Sequence, residues 1–422
     1  MLRRLEAGLF APVPVGGLVL FRVALGALLA WDAWRLWSKG WIRLNFVEPS
    51  FHFTFFGFDW VKPWPEPWMT AHVVVLGLLG LGLMTGTAYR VSAVLSFVGW
   101  AYVFLLDLSL YLNHLYLLLL LVLLMVFVPA HRAWSVDAWL RPALRGDWAP
   151  GWALWIVRLQ LSVAYVFGGI AKINPDWLRG EPLRTWLAPH TQSEAVVMLM
   201  SLGGLAFDLL IVPALLWRRT RWVALIVAVG FHLTNAWLFQ IGIFPWLMLA
   251  ATLLFLPPEL FARFSGRAAG VAQPSARSAP VLVLFALWMA GQVTVPLRHW
   301  LYPGDVAWTE EGHIFSWRMK LTQKDNDTEF IVTFKSEAKT WSVPLDQFLT
   351  SRQEDKMAGD PEMILQFAHH LKRTLGDVEV RVRTNTSLNR RPPRQLVDPT
   401  VDLAAQPRTL WAAPWIRGSA AF

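Results

Sequence analysis

The sequence predicts a polytopic α-helical membrane protein of about nine transmembrane helices, followed by a small C-terminal extracytoplasmic α+β domain. Three observations carry this. Apolar residues make up 55% of the chain and charged residues only 16%, where ordinary soluble domains carry about 25% charge. The apolar residues come in long blocks, broken by short polar or Arg-rich segments. After Arg298 the composition turns polar and short alternating runs replace the blocks. The net charge of +9 is what Lys and Arg in membrane-protein loops produce, so the partner read from it is a lipid bilayer and no nucleic acid. No cysteine is present, which excludes disulfides, a thiolate nucleophile and Cys-based metal sites.

The first span, 16–37, contains Arg22 and Asp32. It follows Arg3 and Arg4 but is long and lacks a small-residue cleavage site, so it reads as a span and not as a cleaved signal. The loop 38–68 is rich in aromatics and Pro, and its run Phe51-His-Phe-Thr-Phe-Phe suits an interfacial segment. Spans 2, 3 and 4 cover 70–88, 91–108 and 113–128. The stretch 131–144, with Trp134 and Trp139, reads as an amphipathic surface segment. Span 5 covers 152–173 and span 6 covers 195–217, stopped by Arg218-Arg219-Thr-Arg221. Spans 7 and 8, 222–239 and 244–256, are short and split by Gln240-Ile-Gly242. A linker over 257–280, rich in Ala, Ser, Gly and Arg, precedes span 9 at 281–297. The regions are then a transmembrane catalytic domain at 1–260, a linker with the last helix at 261–297, and the α+β domain at 298–422. In that domain 313–321 and 329–335 alternate like paired strands, 341–343 adds a third, and 377–384 alternates again. Between them 361–375 reads as a helix with Met363, Ile364, Phe367 and Leu371 on one side.

Basic residues in the loops set the orientation. With the N-terminus in the cytoplasm, twelve fall in inner loops, Arg267 and Arg277 among them, and seven in outer loops. The same choice brings several polar residues to one leaflet beneath the C-terminal domain. Asn113-His114 opens span 4, Lys172 closes span 5, His232 and Asn235 share a face of span 7, and Arg298-His299 follows span 9. Tyr165, Gly168 and Lys172 share one helix face, with Gly169 beside them.

Lys172 has two readings. It is a base in the wall of a cavity, where a desolvated amine can be held neutral and take a proton, or a boundary lysine snorkelling to the headgroups. His114 is equally a hydrogen-bonding residue at a helix end, whereas His232 has apolar neighbours on both sides. Arg22, Asp32, Asp107 and Asp208 read as intramembrane pairs or orientation devices with unassigned partners. The histidines lack metal-ligand spacing, so no metal is expected. His369-His370 reads as solvated. Asn326 and Asn385 head glycosylation sequons too common to mark a compartment. No Walker loop, dinucleotide fingerprint or nucleophile elbow occurs.

Four blocks carry a resemblance. They are Tyr111-Leu-Asn-His-Leu-Tyr116, Val128-Pro-Ala-His-Arg-Ala-Trp-Ser-Val-Asp137, Phe167-Gly-Gly-Ile-Ala-Lys-Ile-Asn-Pro-Asp-Trp177 and Phe231-His-Leu-Thr-Asn-Ala-Trp-Leu-Phe-Gln-Ile-Gly-Ile-Phe-Pro245. Together they resemble the vitamin K-dependent gamma-carboxylase family and its bacterial relatives with the "horizontally transferred transmembrane" domain. The C-terminal pieces around Trp308–Met319, Thr386–Arg391 and Val397–Leu403 are similar too, in the same order.

The resemblance implies a reaction: a lysine amine deprotonates vitamin K hydroquinone, O2 adds, and a strongly basic alkoxide forms on the way to the 2,3-epoxide. That base removes a γ-proton from a glutamate side chain, and CO2 captures the carbanion. The family's base lysine matches Lys172, its Asn-His pair Asn113-His114, and the His of its Phe-His helix His232. Vitamin K hydroquinone, O2 and CO2 are the implied co-substrates, and a Glu-containing peptide or protein the implied partner. A bacterial inner membrane is the implied location. Arg298-His299 and Trp317-Arg318 are expected at the mouth of the pocket, where a cation could hold the substrate carboxylate. The sequence departs from the animal enzymes at Ala171, where they carry a further lysine, and in its shorter length. The alternatives are quinol epoxidation without protein carboxylation, and a non-catalytic quinone- or lipid-binding membrane protein.

Overall fold

The structure is a computed structural model that describes residues 2–239, 241–265, 278–337 and 339–418. Gln240 and half of the expected linker, with Arg267 and Arg277, lie outside the described residues. Each apolar block forms a helix: α1 Gly16–Ser38, α2 Trp68–Thr85, α3 Tyr89–Leu105, α4 Asn113–Phe127, α5 Gly151–Ala171, α6 Glu194–Leu216, α7 Arg221–Phe239, α8 Phe244–Thr252 and α9 Ala279–Leu297. Six of these, α1, α2, α5, α6, α7 and α9, are long and apolar enough to cross a membrane. The count rises to seven if α8 and the 3-10 turns after it, bent by 104°, form one span. Helices α3 and α4 have only 17 and 15 residues, so the expected nine is not reached on length and composition among the described residues.

Contacts at the helix ends give the path of the chain. Tyr102 near the end of α3 donates to the Lys62 carbonyl and accepts from the Trp64 amide just before α2. Asn113 at the start of α4 donates to the Arg318 carbonyl. Asp176, just after α5, bonds Asn389 at 2.6 Å and also Arg391. Phe239 at the end of α7 packs on Trp186, which bonds Gln323. Arg298 after α9 donates to the Ile314 carbonyl. Consecutive helices therefore alternate in direction, and one end of the bundle carries the C-terminal domain.

Helices α1 and α2 cross with their backbones in contact. A Cβ on Gly26 would lie 2.3 Å from the Met84 nitrogen and 2.6 Å from the Gly80 oxygen. A Cβ on Gly80 would lie 2.7 Å from the Ala30 nitrogen. Small residues permit such close packing where lipid supplies no hydrophobic drive between helices, and backbone atoms cannot move aside. Gly26→Leu should therefore lower the thermal midpoint of the detergent-solubilised protein sharply, beyond the roughly 1–3 kcal/mol of ordinary overpacking. An unchanged midpoint would refute the contact.

Most of the polar groups within the apolar blocks find partners. Arg22 is fully buried and donates to the carbonyls of Ala130, Ala133 and Trp134, tying α1 to the turn after α4. Asp32 pairs with Arg35 one turn along at 2.8 Å. Asp107 accepts from the Ser109 amide and from Gln353 of the C-terminal domain.

In that domain β1 Lys324–Phe334 is central, flanked antiparallel by β2 Lys339–Ser342 and β3 Val378–Leu388. The β1–β3 register sets Phe330 opposite Val382 and Phe334 opposite Val378. Helix α10, Pro361–Leu375, covers the sheet with Phe367 edge-on to Phe330. The expected strand at 313–321 does not form. Phe315, Trp317 and Lys320 there have φ of 64°, 59° and 52°, so the segment coils and pairs with no strand. Its alternating aromatics come from a folded-back loop whose side chains point into the bundle.

Two further expectations change. The run Phe51–Phe56 buries Phe51, Phe53 and Phe55 in the core of the C-terminal domain and leaves only Phe56 of its phenylalanines exposed. His369 and His370 are not simply solvated: His369 bonds the Gln406 carbonyl, and the His370 ring lies 4.4 Å from that of Phe51.

Candidate active site

Helix α5 ends at Ala171, and the chain turns through Asn174, whose side chain caps the next short helix by accepting from the Trp177 amide. Lys172 sits at this turn, 7% exposed. Its side chain does not snorkel. It folds back along α5, so that Nζ donates to Asp208 Oδ2 on α6 at 2.5 Å and to the Gly168 carbonyl at 3.3 Å. The Trp177 ring lies 5.1 Å from Nζ, a cation–π contact. Asp208 is itself buried, in the most hydropathic of the candidate spans. Removing either partner would leave an uncompensated buried charge.

Lys172 and Asp208 line a cavity of about 820 Å³ between the membrane helices and the C-terminal domain. Asn113, His114, Tyr165, His232, Asn235, Trp317 and Arg318 share this wall. Tyr165 and His232 are hydrogen-bonded, hydroxyl to Nε2, at 2.8 Å. His232 Nδ1 and Trp317 Nε1 are buried without a partner. His114 faces the Phe244 ring at 5.5 Å. Asn113 is engaged on both sides, accepting from Tyr111 and donating to the Arg318 carbonyl.

The cavity has two halves. The half among the helices is apolar and aromatic, with Leu117, Ala164, Phe231, Phe244 and Met248. The half under the domain is polar, with Glu310, His313, Arg318, Lys320, Lys324 and Asp360. Three of these are mutually paired, Lys324 with Glu310 at 2.6 Å and His313 with Glu310 at 3.2 Å. Burial pushes the Glu310 carboxyl up, but Lys324 and His313 outweigh it and hold the group below its ordinary value. Lys320 has no carboxylate within ion-pair distance among the described residues and lies over the Trp186 and Phe239 rings, and Arg318 has none either. Burial lowers its pKa, and Asp305 and Glu310 pull it back only in part.

Three expected residues lie elsewhere. Gly169 faces α6: a Cβ there would meet the Leu209 side chain at 2.6 Å, so the glycine serves helix packing. Gly168 lies behind Lys172, where a Cβ would sit 3.3 Å from Asp208 Oδ2 and 3.4 Å from Met319 Cε. His299 bonds the Pro296 carbonyl at the join to the domain, and neither it nor Arg298 lines the cavity. Arg298 instead lies over the Phe315 ring. The partner of Lys172, Asp208, was not legible as such. The available signal was its cost, since a carboxylate inside so apolar a helix requires a cation nearby.

Among the described residues no group of three His, Cys, Asp or Glu side chains is placed to hold a metal ion. Residues 10–260, more than half of the chain, match the family model described as the HTTM domain. Residues 277–420 match the model described as the vitamin K-dependent gamma-carboxylase, lumenal domain. No solved structure matches the chain.

Proposed function

The chain belongs to the vitamin K-dependent gamma-carboxylase family, and from that premise we propose that it oxygenates vitamin K hydroquinone to the 2,3-epoxide and uses this to carboxylate a glutamate side chain with CO2. The observation that carries the reading is the buried Lys172–Asp208 pair in the wall of a half-apolar cavity. The residues present fit a quinol substrate. The cavity volume is in the range of small-molecule sites, its deep half is aromatic, and His232 Nδ1 and Trp317 Nε1 lack protein partners. Bound hydroquinone supplies, with O2, the strong base that carbon deprotonation requires.

The protein's part is proton handling, binding and exclusion of water. Lys172 and Asp208 accept the hydroxyl proton as a unit. Whether the resting pair is ammonium–carboxylate or amine–carboxylic acid, one proton added leaves an ammonium beside a carboxylic acid. Tyr165 and His232 form a second hydrogen-bonded couple facing the same space. His114, with no protein hydrogen bond of its own among the described residues, is free to contact substrate oxygen. The unpaired Arg318 guanidinium suits the carboxylate of the glutamate substrate, approaching from the polar half. The apolar half among the helices keeps water away from a strongly basic species. On this reading the N-terminus is cytoplasmic, in a bacterial inner membrane, and the C-terminal domain is extracytoplasmic.

The test is purified protein in detergent supplied with vitamin K hydroquinone, bicarbonate, O2 and a Glu-containing peptide. Epoxide together with fixed carbon in the peptide is the expected outcome. Epoxide alone would restrict the function to epoxidation. Neither product, with quinol still bound, would leave a quinone-binding protein and overturn the enzymatic reading.

A further inference from the structure

A second cavity, of about 960 Å³, lies between the loop leading into α2 and helix α10. It shares no lining residue with the cavity at Lys172. One wall is the loop, with His52, Lys62 and Trp64; the other is α10, with His369, His370, Lys372 and Arg373. The acids on its wall are Asp59 and Glu66. Asp59 is already taken by Arg408 at 2.7 Å, and Glu66 accepts from Thr70. Lys62 and Arg373 are exposed and have no carboxylate partner among the described residues. His52 Nε2 is buried with no partner either. The wall thus offers unpaired cations from two separate elements, facing one space.

The height of this cavity along the bundle decides what it faces. Tyr102, in the last turn of α3, bonds the backbone on both sides of Pro63. The cavity mouth is therefore level with the ends of the membrane helices. Trp60, Trp64 and Trp68 stand exposed there at 75%, 48% and 64%, as tryptophans do at the membrane–water interface. Phe46, Val47, Val61 and Pro63 give the cavity an apolar side. Cations above an apolar flank, at the depth of an aromatic belt, match the headgroup and glycerol region of an anionic lipid.

We propose that this cavity binds the phosphate headgroup of an anionic phospholipid, with Lys62 and Arg373 as its principal cations and the α10 histidines as further hydrogen-bonding groups. A soluble acidic peptide would use the cations but leave the tryptophans and the apolar flank uncovered. The site does not depend on the chemistry at Lys172.

Native mass spectrometry of the full-length protein, released from micelles containing equal phosphatidylglycerol and phosphatidylcholine of the same acyl chains, tests this. The expected result is preferential retention of phosphatidylglycerol. The double variant Lys62→Gln/Arg373→Gln should reduce that retention by on the order of tenfold, from the contribution of basic residues near a charged membrane surface. Lys339→Gln, which removes an exposed lysine on β2, should not. Equal retention of the two lipids, or undiminished retention in the double variant, overturns the proposal. So does displacement of the lipid by glycerol phosphate, which would mark a soluble phosphate site, or by hexaglutamate, which would mark a peptide site. Should the double variant fail to fold, Arg373→Glu alone is read against the same outcomes.

Discussion

Lys172→Ala is expected to lower epoxide formation by about 10²–10⁴-fold, the usual contribution of a positioned general base. Alanine also strands Asp208 as a buried carboxylate, so lost activity could reflect lost structure. Lys172→Arg separates the two. A guanidinium can keep the pair with Asp208 but remains protonated at any working pH, so the hydroxyl proton can go only to the Asp208 carboxylate, a much weaker base than an amine. Lys172→Arg should therefore keep the thermal midpoint close to the parent's and lose epoxidation to a similar degree. Epoxide formation at the parent rate in the arginine variant would rule out Lys172 as the base.

Asp208→Asn should have the largest effect on stability. It leaves an ammonium group in a buried site with no counter-charge, only a neutral amide, the Gly168 carbonyl and the Trp177 ring as neighbours. Breaking a buried pair from one side costs about 3–5 kcal/mol. Replacing both members by apolar residues is often neutral or stabilising. Lys172→Met/Asp208→Leu should therefore recover most of the thermal midpoint lost in Asp208→Asn while remaining inactive. Thermal unfolding followed by tryptophan fluorescence, with epoxide assays on the same preparations, checks both halves. If Asp208→Asn unfolds no earlier than the parent, the 2.5 Å pair is not holding α5 to α6.

Much of the fold could be read locally. The blocks 113–128 and 222–239 start or stop within a residue of α4 and α7, because an apolar run of fixed composition carries its own ends in Arg, Pro and Gly. Helix α10 falls on 361–375 as read, since Asp360 caps it and Pro361 begins it. The segment 313–321 was misread for an equally physical reason. Alternation in a loop with three left-handed residues looks like alternation in a strand, and nothing local tells them apart. The run Phe51–Phe56 likewise showed a correct period but not the surface it meets. It was read as an interfacial segment, and three of its phenylalanines instead enter the core of a domain more than two hundred residues later.

The cavity at Lys172 divides in the same way. The sequence by itself determined that a lysine closes α5, that Tyr165 shares its helix face, and that His232 lies within an apolar helix. Helical period and composition are properties of one segment, and they suffice for such statements. Only the tertiary structure decided that Asp208 faces the lysine, that Tyr165 bonds His232, and that Trp317 and Arg318 reach back from the C-terminal domain. Periodicity tells which side of a helix is apolar but not which neighbour that side meets. A burial cost that no segment can satisfy alone, such as a carboxylate in α6 or an amine at the end of α5, is settled only when two segments pack together.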